Sequence, residues 1–134
     1  AALTRDLPED LRDAWDRLRE TIGDFGEQRI YASHSSIMFA RKVCYAFVRP
    51  ASKRLEVVVF LGRTVKAPQV KRATATSRVK VAHLIHVKHR DEVEPPLTDW
   101  LREAYEVTDE LGAKARASAS AKKPGKSPVK ARRR

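Results

Sequence analysis

The apolar pattern of this chain changes period twice, and that change restricts the fold more than any other feature. Leu7, Leu11, Ala14, Trp15, Leu18 and Ile22 recur at three- and four-residue steps, the stripe of an amphipathic helix. Asp6 stands where it can cap that helix, Pro8 suits its first turn, and Gly23 suits its end. Ile37 to Val48 is rich in apolar, aromatic and β-branched residues, and reads as one long strand or two short ones broken near Arg41-Lys42. Pro50 to Arg54 predicts a turn, and Leu55 to Leu61 is apolar on both faces, as in a central strand. Gly62 to Ser77 has Pro68, scattered bases and no clear period, so it predicts a loop with at most a short helical turn. Val79 to Val87 alternates, with Val79, Val81, His83, Ile85 and Val87 on one face. Leu97, Trp100, Leu101, Ala104, Thr108 and Leu111 then return to helical spacing after Pro95-Pro96, and Gly112 predicts the stop. Helix, strands, helix in that order predicts an α+β fold, an antiparallel sheet of about four strands with an N-terminal and a C-terminal helix on one face.

Composition divides the chain into a single domain, 1–112, and a tail, 113–134, made only of Ala, Ser, Lys, Arg, Pro and Gly apart from Val129. Such a tail buries too little apolar area to offset ordering entropy, so disorder is expected there. A domain of the remaining size buries roughly 65% of the surface its unfolded chain exposes, enough for one core. The longest apolar run, Val57 to Leu61, is far short of the ~20 residues of a membrane span. No charged-then-apolar leader opens the sequence, and Cys44 is alone, so a cytoplasmic location is expected, with no disulfide and no Cys-based zinc site.

Charge is sorted along the chain. From Gln28 to Arg90 there are 14 Lys/Arg and one acid, Glu56; residues 1–27 carry 4 bases and 8 acids, residues 91–112 carry 1 base and 8 acids, and the tail carries 9 bases and no acid. A phosphate polymer suits this arrangement, because each cation that meets a phosphate releases condensed counterions. The candidate contacts begin with Arg41, Lys42 and Arg49 on the strand segment and Lys53 and Arg54 in its turn. Arg63, Lys66, Lys71 and Arg72 follow in the loop, then Arg78, Lys80 and Lys88 around the last strand. In the tail they are Lys122, Lys123, Lys126, Lys130, Arg132, Arg133 and Arg134. Pairing with the acidic helices is the bland alternative, but helix polar faces point away from a sheet, and exposed pairs contribute only about 0–1 kcal/mol.

Catalysis has little support. There is no Gly-rich phosphate loop, no His-Glu-x-x-His helix and no Gly-x-Ser-x-Gly elbow. A two-metal nuclease needs carboxylates where the basic region has only Glu56. No catalytic residue, cofactor or metal is expected. His83 shares an apolar strand face and reads as a hydrogen-bonded core histidine, whereas His86 lies opposite, beside Lys80 and Lys88, and gains charge below its usual pKa of about 6.5. Trp15 and Trp100 fall on helical stripes and read as core. Phe39, Tyr45 and Phe47 share one strand parity and are expected under the helices, with one or two available for base stacking if that face is open.

Ile37-Met38-Phe39, Lys42, Tyr45-Ala46-Phe47-Val48, the apolar strand Leu55 to Leu61, and His83 followed by Asp91-Glu92-Val93 and Trp100-Leu101-Arg102-Glu103-Ala104-Tyr105 form an ordered set. With that set, the stretch from about Leu11 to Leu111 resembles a bacterial family known as domain of unknown function 5655. The resemblance implies an α+β fold and no established activity, and it departs at His34, where the family often carries lysine. Beyond it, Lys122 to Lys130 is similar to linker-histone tails, and Ser127-Pro128-Val129-Lys130 resembles their Ser-Pro-x-Lys unit. Phosphorylation of Ser127 would subtract charge there.

Together these features lead to an expected non-specific nucleic-acid binder, DNA in the first place, or a nucleoid-associated accessory protein that uses a basic sheet-and-loop surface and a basic tail. Two other readings stay open: a small-ligand or anion-binding domain, enzymes included, with a pocket near His34, Arg41, Lys42 and His83; and a protein partner docked on the acidic helices. Strand preference, DNA versus RNA and oligomeric state have no signature in the residues.

Overall fold

The first apolar stripe folds as α1 (Glu9–Gly23), burying Leu11, Ala14, Trp15, Leu18 and Ile22. Pro8 occupies the N-cap position expected of Asp6, and no side chain caps the helix. Proline fits a helix entrance because its φ is already near −65° and its missing N–H would have had no partner. Glu9 and Asp10 in the first turn complement the helix dipole. The computed structural model describes residues 4–122.

Six strands follow: β1 (Arg29–Ser33), β2 (Ser36–Ala40), β3 (Cys44–Pro50), β4 (Leu55–Leu61), β5 (Val70–Ala75) and β6 (Val81–Val87). They form one antiparallel sheet in the order β1-β2-β3-β4-β6-β5. The expectation of about four strands is thereby corrected to six. Both unanticipated strands, β1 and β5, are the edges of the sheet. An edge strand has one neighbour and little burial, so its residues need no apolar alternation, and β5 is exposed at every position after Val70. Ile37 to Val48 resolves into two strands, with a register shift between Phe39 and Ala40.

A short 3₁₀ turn (Arg90–Glu92) leads to α2 (Leu97–Lys122). Leu97, Trp100, Leu101, Ala104 and Thr108 are buried along its stripe. The helix does not stop at Gly112. One glycine costs only about 1 kcal/mol relative to alanine, and the Ala-, Lys- and Arg-rich residues after it are good helix formers. The expected disorder from Ala113 therefore meets helix as far as Lys122. The rest of that expectation falls on 123–134, outside the described residues.

The strand register sorts the side chains. The rows Phe39–Ala46–Val59–His83 and Ile37–Val48–Val57–Ile85 lie in the core with both helices. Trp15 of α1 stands 6.1 Å from Phe39 between ring centres, and α2 packs on β3 and β4. Both helices thus cover one face of the sheet. No helix among the described residues is long and apolar enough to cross a membrane.

Candidate nucleic-acid interface

Successive residues of a strand point to opposite faces. The row Tyr31–Met38–Phe47–Val58–Leu84–Arg72 is therefore turned away from the helices, as is Phe60–Ala82–Thr74 beside it. Phe47, Val58, Phe60, Ala82 and Leu84 floor a shallow groove of about 340 Å³, rimmed by Arg49, Glu56, Arg72, Thr74 and Thr76. The rings of Phe47 and Phe60 lie 6.1 Å apart, tilted by 48°. Tyr31 is 42% exposed, the highest among the large hydrophobic residues described. A cation stands near two of these rings: the Arg29 guanidinium lies 5.6 Å from the centre of Tyr31, and Lys80 Nζ lies 5.8 Å from that of Phe60.

The candidate cations divide into two sets. Arg41 is tied to α2: its guanidinium donates to the Tyr105 carbonyl at 3.0 Å, lies 4.6 Å from the centre of that ring, and sits 3.6 Å from Asp109. Arg63 donates two bonds, of 3.1 and 2.8 Å, to the Glu103 carboxylate. Arg49 and Arg54 share Glu56, across strands from Arg49. These four are wholly or partly neutralised. Lys42, Lys53, Lys66, Lys71, Arg72, Arg78, Lys80 and Lys88 are exposed or half-buried and make no ion pair among the described residues. Lys122 ends α2, while Lys123, Lys126, Lys130, Arg132, Arg133 and Arg134 lie outside the described residues.

Most of the unpaired set gathers at the two ends of the sheet, with Arg72 midway along β5. Leu55 pairs with Val87, which brings the Lys53–Arg54 turn beside Lys88, and Arg54, Lys71 and Lys88 all act electrostatically on His86. At the other end Val81 pairs with both Leu61 and Ala75, which places Lys80 and the Arg78 loop near the β2–β3 turn that carries Lys42. Acids of α1 line a separate groove, with Asp13, Asp16, Arg17 and Glu20 facing Arg90.

The histidines do not converge. His83 is 1% exposed. Its Nε2 accepts from the Val65 N–H at 2.9 Å, so the proton sits on Nδ1, 3.1 Å from the Val81 carbonyl. The ring is thus the anchor that holds the Gly62–Gln69 loop onto β6. His34, at φ 55°, opens the turn between β1 and β2, at the opposite end of β2 from Arg41 and Lys42. Histidine tolerates this left-handed conformation better than most residues. The pocket expected of His34, Arg41, Lys42 and His83 is not assembled: one member is sealed in the core, one binds α2, and the others are separated by a strand. His83→Phe, which keeps the ring's bulk and strands the Val65 N–H, is expected to lower unfolding free energy by about 1–3 kcal/mol in urea denaturation.

Two titrating groups on the open face oppose acid. Hydrogen bonds from Arg49, with help from Arg54, hold the Glu56 carboxyl below the usual carboxylate range. Burial, then the Arg54 charge, pushes His86 below the usual imidazole range. Both folded-state values lie under the unfolded ones, so in each case the unfolded chain takes its proton first and stability falls with pH. For His86 the loss begins as pH drops through about 6.5 and ends at its folded value; for Glu56 it begins near 4.3. Urea midpoints measured across pH should show both limbs, with His86→Gln flattening the upper and Glu56→Gln the lower.

Tyr31, Phe60 and Arg29 are the members of this face that sequence reasoning missed. Tyr31 and Arg29 lie on an unanticipated edge strand. Phe60 lies on β4, where apolar residues on both faces signalled burial on both. Among the described residues no group of three His, Cys, Asp or Glu is placed to hold a metal. A family profile described as a domain of unknown function (DUF5655) matches residues 1–108. No curated protein and no solved structure matches the chain.

Proposed function

This chain belongs to the DUF5655 family, whose description names no activity, and we propose from its own surface that it binds nucleic acid through phosphate contacts with little sequence preference. One observation carries this reading. Acids that reach the basic region are taken up by Arg41, Arg49, Arg54 and Arg63, and Lys53, Lys71, Arg72, Lys80 and Lys88, on or around the helix-free side, make no ion pair among the described residues. Unpaired cations at both ends of a sheet can follow a phosphate backbone, which positions a nucleic acid without reading its bases.

DNA is the first candidate, in an accessory or nucleoid-associated role. The basic residues after Lys122 act as a tethered second contact that raises local affinity through effective concentration. The test is a binding titration with labelled DNA over increasing salt. Affinity should fall steeply with salt, and a flat profile removes the proposal.

A further inference from the structure

We infer that the open sheet face is a stacking platform that selects single-stranded over duplex nucleic acid. This inference rests on the nucleic-acid reading above and adds to it the chemistry of the centre of the face. The cations lie at the ends of the sheet and along β5, but the middle is apolar and aromatic. Tyr31 and Phe47 stand in one cross-sheet row, with Phe60 beside Phe47 at 6.1 Å. A protein that reads only phosphates has no use for partly exposed rings across its contact surface.

Those rings are of use to unpaired bases. Each base has a π-face that stacks on an aromatic side chain, whatever its identity, and four-stranded sheets that bind RNA present aromatics this way. In a duplex the bases are already stacked on each other, so only the phosphates are offered. The cations at the rings fit the same ligand. The Arg29 guanidinium and Lys80 Nζ lie over the rings of Tyr31 and Phe60, so a base that takes a ring face moves a cation onto its own flanking phosphate, and Arg72 ends the aromatic row at β5. The groove is shallow, so it suits a flat base lying on its floor. A purely apolar partner would leave this cationic rim unmatched, which is why a single strand is the occupant that fits.

The experiment is fluorescence anisotropy at low salt, using the full chain with a labelled oligothymidine and with a duplex of equal length. Phe47→Leu and Phe60→Leu keep apolar bulk but lose the π-face, and Tyr31→Ala removes the exposed ring. Each should weaken single-strand binding by about tenfold and leave duplex binding unchanged. Arg72→Glu with Lys80→Glu should weaken both ligands. Phe47→Tyr and Phe60→Tyr should retain single-strand affinity, which controls for misfolding. If the aromatic variants bind both ligands as the parent does while the cationic variant loses both, stacking is overturned and the phosphate reading survives. If the parent binds neither ligand, both fall. If the parent sediments as a dimer that these aromatic substitutions dissociate, the face is a contact between copies and the inference is overturned.

Discussion

Between about 50 and 200 mM salt, the affinity of this chain for DNA is expected to fall by about three to five decades, the loss that accompanies neutralising roughly 6–10 phosphates. The number of unpaired cations on and around the open face, together with those after Lys122, makes that range reachable. Reversing Lys71, Arg72 and Lys80 to Glu in one variant should lower affinity at low salt and also flatten the logarithmic salt slope by about 3, since each lost duplex phosphate contact removes about 0.9. The slope is the informative readout, because a variant that misfolds loses binding without a defined change in slope. Arg63→Gln is the internal control: its guanidinium is already held by Glu103, so the slope should not move. Deleting 113–134 separates the tail's share from that of the folded face.

The second large effect is on stability, and it contrasts two phenylalanines. Phe39 is fully buried against Trp15. Phe39→Ala should cost about 3–5 kcal/mol, because the lost transfer energy is joined by the cavity left behind. For a domain of this size that is a fall in melting temperature of at least about 10 °C by calorimetry. Phe47 lies across the sheet, half-buried beside Phe60. Phe47→Ala should cost less, about 1–2 kcal/mol, since part of its ring is already in contact with water. Equal losses at the two positions would mean that the second face is covered as thoroughly as the first.

That contrast also shows where sequence reasoning ran out. Both helical stripes and the four inner strands were legible, because buried faces impose a period: Leu11, Trp15 and Leu18 repeat as a helix must, and Val57, Val59 and Leu61 as a strand must. His83 was legible as a core histidine for the same reason, since its strand neighbours at two-residue steps are apolar. The parity grouping of Phe39, Tyr45 and Phe47 failed. Beyond Phe39↔Ala46 the register jumps to Ala40↔Cys44, so Tyr45 is an extra residue on β3 and the alternation breaks there, which turns Tyr45 and Phe47 to opposite sides although they are two positions apart. Tyr45 is buried edge-on to Tyr105, 5.6 Å between centres, with its hydroxyl donating to Gln28, whereas Phe47 emerges on the other side. The charge excess of the middle was legible, but its division was not. Whether an arginine is neutralised depends on a carboxylate brought near by folding, as Glu103 is to Arg63 from 40 residues away.

The position of β5 has a consequence for handling the protein. It is the outermost strand, so one row of its backbone N–H and C=O groups has no neighbour in the sheet. Such a row is a template for an intruding strand, and charged side chains along it are a common deterrent. Lys71 and Arg72 are charges of this kind, and they guard against edge-to-edge association. Substitutions of these two residues should keep charge of some sign, as glutamate does, so that the edge stays protected while binding is measured.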